Sequence, residues 1–205
     1  MARPAALALL VLLAACAPAA AAPQRCSQVH PAKDLAPASH VKLFARSDGA
    51  LAGCVMPRGP VRKLATSVRR TNGYEAWVVR QVVGQAVVFD TSQRDGSGGI
   101  DETHVAHLGT GRRYATSEAC RDFGAGYCGP TAQVVTAAAY ALPDGRAVAL
   151  LFAPGSVSVV AFTATGGRRV LDLADPGEIP AATLGLVDDV AYWSNSGTPR
   201  SAVLP

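Results

Sequence analysis

An all-β fold, a small or incomplete β-propeller-like array of about four antiparallel blades with disulfides, is what three features of this sequence predict. The first is internal repetition. Asp48-Gly49-Ala50-Leu51-Ala52-Gly53-Cys54-Val55 is echoed by Asp144-Gly145-Arg146-Ala147-Val148-Ala149-Leu150-Leu151, and Gly73-Tyr74-Glu75-Ala76-Trp77 by Val190-Ala191-Tyr192-Trp193. The second is a turn followed by a basic pair, which occurs before Arg62-Lys63, before Arg112-Arg113 and before Arg168-Arg169. The third is composition. Twenty Gly and 14 Pro accompany only 17% charged residues, which fits a turn-rich β protein and argues against disorder.

The two ends set the context. Residues 1–22 read as an export signal: Arg3 gives a basic start, Ala5 to Leu13 an apolar run too short to span a bilayer, and Ala17 to Ala22 small residues for cleavage. No later apolar stretch approaches about 18 residues, so a membrane-spanning mature chain is not expected. Leu13-Ala14-Ala15-Cys16 resembles a bacterial lipobox, in which Cys16 would carry the lipid anchor. An ordinary secretory signal that contains a Cys is the other reading, and the sequence leaves both open. Residues 23–40 read as an arm and 41–205 as one β domain. The formal net charge of +4 is mild and gives no reason to expect nucleic acid.

Either reading of the signal leaves Cys26, Cys54, Cys120 and Cys128. Four thiols in an exported chain favour two disulfides. Three pairings exist. Cys120 and Cys128 are close and bracket a Gly-rich stretch, which favours a local bridge and leaves Cys26–Cys54 to pin the arm to the first repeat. Without a Cys-x-x-Cys pair, zinc-ribbon and thioredoxin readings have no support.

The elements follow in order. Val41 to Ala45 and Ala50 to Met56 flank a Ser-Asp-Gly turn, a hairpin signal. Val61 to Ser67 follows a Gly-Pro turn. Glu75 to Val83 and Gln85 to Asp90 are Val-rich and pair across Gly84. Ser92 to Asp101 is polar and Gly-rich and reads as a flexible insertion. His104 to Leu108 and Arg112 to Thr116 close that unit. Gln133 to Leu142 contains three successive Ala and admits a helix, but its place before Asp144-Gly145 favours a hairpin strand with Ala147 to Phe152. Val157 to Thr163, Arg169 to Leu173, Leu184 to Leu186, Val190 to Trp193 and Ser201 to Leu204 complete the chain. Trp77 and Trp193 both end apolar strand segments and are expected to be buried at comparable places in their repeats.

Gly73-Tyr74-Glu75-Ala76-Trp77, Leu108-Gly109-Thr110-Gly111-Arg112-Arg113 and Ala191-Tyr192-Trp193 together resemble bacterial β-propeller proteins of the WD40-like and TolB-like kind. The resemblance covers most of Val41 to Leu204 and implies a ring of blades. The departure is size: such propellers usually have six to eight blades, and this chain has room for about four.

Four constellations invite chemistry. Tyr127-Cys128-Gly129-Pro130-Thr131-Ala132 resembles the nucleophile motif of papain-like cysteine peptidases of the bacteriocin-processing kind. There the general-base His follows the Cys, whereas the last His here is His107, upstream. A structural Cys128 is therefore expected, with a secreted cysteine hydrolase as the alternative. His104 and His107 are three apart. On a strand that spacing points them to opposite faces, so a solvated strand edge is expected and no metal site. Asp90 to Asp101 has the composition of a calcium loop but fails the EF-hand register at its sixth and twelfth positions. The basic pairs Arg62-Lys63, Arg112-Arg113 and Arg168-Arg169, if they open equivalent strands, share one rim and form an anion-binding surface. Ordinary charged gatekeepers of strand edges are the plainer reading. The sequence thus leads to an exported, non-catalytic binding or structural module of the cell envelope, without cofactor. Its expected partner is an anionic envelope polymer or another envelope protein, and its contact with the membrane runs only through a lipid anchor.

Overall fold

The structure is a computed structural model that describes residues 24–29, 33–35, 40–70, 73–96, 98–122 and 134–205. The expected signal segment, Cys16 and the Cys128 motif lie outside the described residues. Among the described residues sixteen strands form four antiparallel sheets, and in every sheet chain neighbours are sheet neighbours. The first sheet holds β1 (Lys33–Asp34), β2 (Val41–Ala45), β3 (Leu51–Val55) and β4 (Arg62–Ala65). The second holds β5 (Val68–Arg70), β6 (Gly73–Val83), β7 (Ala86–Asp95), β8 (Gly98–His107) and β9 (Arg113–Asp122). The third holds β10 (Val135–Ala141), β11 (Ala147–Ala153), β12 (Ser156–Phe162) and β13 (Arg168–Ala174), and the fourth β14 (Gly185–Val187), β15 (Val190–Asn195) and β16 (Thr198–Val203). Residues 135–141 are a strand, as the turn that follows them predicted.

Three apolar seams stack the sheets face to face. Alternation along each strand sends one set of side chains to each side. Val87, Phe89 and Ala106 of the second sheet meet Val41, Leu43, Leu51 and Leu64 of the first. The opposite face of the second sheet, through Ala86, Val88 and Val105, meets Ala139, Ala149, Leu151, Val160 and Phe162 of the third. The far face of the third sheet, with Val148, Leu150, Val157 and Val159, meets Ala191, Trp193 and Leu204 of the fourth. The parts of the middle sheets that lie between two seams are buried on both faces, and residues 86–89 of β7 and Ala147–Ala153 of β11 accordingly read as unbroken apolar runs. Each fully buried Val, Leu or Phe contributes about 1.5–3 kcal/mol.

The outer face of the first sheet is covered by the arm. Cys26 is bonded to Cys54, and both pack with Val29, Phe44 and Ala52. Backbone bonds from Cys26 N to Gly59 O (2.9 Å) and from Ser27 N to Pro57 O (3.0 Å) fix the arm against the β3–β4 turn. Of the cysteines expected to form the second bridge, Cys120 lies in β9 and Cys128 outside the described residues.

Three expectations are corrected. Ser92 to Asp101 is not a flexible insertion: β7 runs on to Asp95 and β8 starts at Gly98, with Arg94 facing Gly99 and Ser92 facing Asp101. Polarity on both faces hid a strand that side-chain bonds hold together. Ser92 Oγ donates to Asp101 (2.7 Å), Arg94 binds both Asp101 oxygens at 2.5 Å, and Asp95 accepts from Gly98 N (3.0 Å). Second, the two Asp-Gly echoes share a turn chemistry but not a place. In each, the Asp accepts from a backbone N–H two residues on, and the Gly has positive φ. One joins the second and third strands of its sheet and the other the first and second, so they sit at opposite ends of the stack. Third, the two Trp are not equivalent. Trp193, 5% exposed, lies in β15 and donates to Asp172 (2.7 Å), whereas half-buried Trp77 lies in β6 and donates to Gly49 O (2.9 Å).

Candidate functional site

The basic pairs do open corresponding strands. Arg62, Arg113 and Arg168 each begin the last strand of their sheet. These starts lie at one end of the stack. Arg62 Nε donates to Leu108 O (2.6 Å) and Nη2 to Gly109 O (3.1 Å), both in the β8–β9 turn. The guanidinium lies so close over Gly111 (φ 76°) that a Cβ there would collide with it. Gly145 of the β10–β11 turn packs on His107, and Gly166 of the β12–β13 turn on Tyr114. The same end carries Arg58 and Arg146. Among the described residues it also carries Asp144, held by Arg146 Nε at 2.8 Å, and Asp188 and Asp189 of the β14–β15 turn, which Leu204 ties to Arg146.

The six cations divide by task. Arg62 is a clamp between the first two sheets. Arg113 is another: it donates to Leu64 O and to His104 Nε2 (2.9 Å), and its guanidinium lies 5.2 Å from the Phe89 ring centre. Lys63, Arg112, Arg168 and Arg169 are exposed and have no ion-pair partner among the described residues. A shallow cleft of about 300 Å³ brings Arg62, Lys63, Arg112 and Arg113 together beside His107 and Gly111. At the opposite end two cations are paired, Arg46 with Asp48 and Arg94 with Asp101.

A second cleft, of about 430 Å³, opens between the first and second sheets. Lys63, Ala65 and Thr66 form one wall, and Glu75, Thr91, Gln93, Ile100, Glu102 and Arg113 the other. The register explains the second wall: Glu75 pairs with Gln93, Gln93 with Ile100, and Thr91 with Glu102, so all share a face. Thr66 Oγ1 donates to Glu75 (2.5 Å).

Behind this wall lies His104, which is 4% exposed rather than on a solvated edge. It does face away from His107, as strand spacing requires. Its ring rests on Phe89 (centroids 5.1 Å apart). Nε2 meets Thr91 Oγ1 at 3.0 Å, Arg113 Nη2 at 2.9 Å and Glu102 at 3.4 Å. Arginine can only donate, so Nε2 accepts and the proton sits on Nδ1. That Nδ1 is buried without a partner. Burial and then the Arg113 charge lower the His104 pKa to about 4. Burial also lowers the Arg113 pKa, and the Glu102 carboxylate opposes that shift.

The His104 shift has a consequence for stability. A His depressed from an ordinary 6.5 to about 4 favours the fold fully above pH 6.5. As pH falls from 6.5 to about 4 the unfolded chain binds the extra proton, and stability drops by up to about 3 kcal/mol. Urea midpoints measured across that window should fall more steeply for the native chain than for His104→Gln. Parallel curves would show that His104 does not carry this dependence.

Among the described residues no three His, Cys, Asp or Glu gather as a metal site would need, and no helix is long and apolar enough to cross a membrane. No protein-family model matches the chain, and no curated protein is similar to it in sequence. Fold and geometry define it as an all-β, disulfide-containing domain of four small antiparallel sheets.

Proposed function

We propose that this chain is an exported, non-catalytic binding module of the cell envelope, built as a propeller-like array, whose cationic end takes an anionic envelope polymer. The observation that carries the reading is the shared end. Turns from the first three sheets deliver basic pairs to one surface where Lys63, Arg112, Arg168 and Arg169 have no acidic partner among the described residues. Unpaired, exposed cations grouped on one face attract polyanions, whereas isolated gatekeepers scatter along edges. The Cys26–Cys54 bond fits an oxidising compartment outside the cytoplasm.

Exposed charges are screened over about 8 Å at physiological salt. Binding to an acidic polysaccharide, followed by calorimetry, should therefore weaken about tenfold or more between low and physiological ionic strength. Affinity that ignores salt would count against this surface.

A further inference from the structure

We propose that the cleft beside Gly111 holds one tetrahedral oxyanion carried by the polymer, a sulfate ester or phosphate monoester, in preference to a carboxylate. This rests on the polymer-binding reading and names the group the polymer must carry. The cleft is about 300 Å³, with room for one charged group and the sugar that bears it. Its polar side chains offer donors only, and no acidic residue lines it. Lys63 and Arg112 are exposed, and neither side chain has a partner among the described residues. His107 adds a third donor, and the turn fixes which atom gives it. Thr110 N donates to His107 Nδ1 (3.1 Å), so the ring proton sits on Nε2. That Nε2 has no partner among the described residues, and the half-buried ring forms part of the cleft wall. Arg62 spends Nε and Nη2 on Leu108 O and Gly109 O, while Nη1, close over Gly111, has no acceptor among the described residues. Arg113 also borders the cleft, but Leu64 O and His104 hold its guanidinium, so it serves as a clamp and not as a ligand donor.

Acceptors are what the cleft lacks. The carbonyls of the β8–β9 turn are engaged: Leu108 O and Gly109 O accept from Arg62, His107 O from Gly111 N (2.8 Å), and Arg112 O from His107 N (2.9 Å). A neutral hydroxyl donates as well as accepts, and an ammonium only donates, so neither is matched here. An oxyanion without a proton needs donors alone. Geometry then separates the anions. A carboxylate presents two oxygens in one plane, which a single guanidinium satisfies as a bidentate pair. A sulfate or phosphate monoester presents three strong acceptor oxygens that do not lie in one plane with the central atom. Lys63 comes from β4, His107 from the end of β8 and Arg112 from the turn that follows, so three segments bring donors to one small space. The bonds within that turn hold His107 and Arg112 in place before any ligand arrives.

Dextran sulfate, dextran phosphate and carboxymethyl dextran of matched length and substitution share a backbone and differ in their anion. In calorimetry at low salt, at least one of the two tetrahedral polymers should bind about tenfold or more tighter than the carboxylate polymer, as expected for an added charge-assisted contact. The tighter of the two identifies the ester. Lys63→Gln with Arg112→Gln should abolish the preference, leaving the three polymers within about threefold of one another, whereas Arg46→Gln with Arg69→Gln, an equal change of charge, should keep it. With methyl sulfate and methyl phosphate as probes, shifts in nuclear magnetic resonance should centre on Lys63, His107, Gly111 and Arg112. Equal binding of all three polymers by the native chain, or a preference that survives the loss of Lys63 and Arg112, would overturn the oxyanion site and leave the polymer reading standing. Shifts at these four residues with no affinity for any polymer would instead overturn the polymer reading and keep the cleft's choice of anion.

Discussion

Trp193→Ala should lower the stability of the domain by about 3–5 kcal/mol, the largest effect expected of one core substitution. Trp193 is 5% exposed and packs in the seam between the third and fourth sheets with Val148, Leu150 and Ile179. Its loss removes that apolar area and leaves a cavity between two sheets that cannot close on it freely. It also removes a donor. Burial raises the Asp172 pKa, but the Trp193 indole (2.7 Å) and Asn195 (2.9 Å), with the Leu173 backbone N–H and the Arg200 charge, together keep the carboxyl below its ordinary range. Denaturant unfolding of Trp193→Ala and Trp77→Ala would show the contrast. Half-buried Trp77 should cost clearly less. Equal losses at the two positions would contradict their different placement.

Removing the disulfide through Cys26→Ala with Cys54→Ala should cost about 2–4 kcal/mol, mainly by freeing the unfolded chain. The bridge spans 28 residues, and both cysteines are buried, at 2% and 0% exposure. The effect should be visible twice. Thermal unfolding should occur at lower temperature, and protease should reach the arm around Arg25 before the sheets unfold, because among the described residues its bonds there run mainly to the β3–β4 turn. A double variant as stable and as protease-resistant as the parent would show that the arm is held by packing alone.

Much of this fold was legible because its decisive signals are local. Hairpins announce themselves through an Asp-Gly or Gly-Gly turn between apolar runs, and β2–β3, β10–β11 and β12–β13 follow that rule. Position within a sheet is not local. The place of Asp48-Gly49 depends on β1, a strand of two residues with no pattern of its own. The extension of β7 and β8 escaped notice for a related reason. Its cohesion comes from Arg94, Asp101 and Ser92 binding one another across strands, and alternation of polar with polar leaves no hydrophobic period to read.

The candidate sites divide the same way. Repetition of basic pairs after turns put Arg62, Arg112 and Arg168 at one end only on the condition that they open equivalent strands. It was not enough to tell a clamp from an available charge. Arg62 and Arg113 spend their donors on carbonyls of the neighbouring sheet, and only tertiary contact reveals that. Spacing set His104 and His107 on opposite faces, but burial of His104 depends on Phe89 beside it and Arg113 from another strand. The cleft lined by Lys63 and Glu75 joins residues from two sheets and left no signal in the sequence.

The central claim is that one end of the stack, and not the molecule's overall charge, binds polyanion. The direct measurement is affinity for an acidic polysaccharide at low salt for two variants of matched charge. Lys63→Gln with Arg112→Gln, Arg168→Gln and Arg169→Gln strips the proposed surface while leaving both clamps intact. Arg46→Gln with Arg69→Gln, Arg94→Gln and Arg200→Gln removes cations away from that surface. The account predicts that the first variant loses affinity about tenfold or more while the second stays within about threefold of the parent. Equal losses in the two variants, or none in the first, would contradict it.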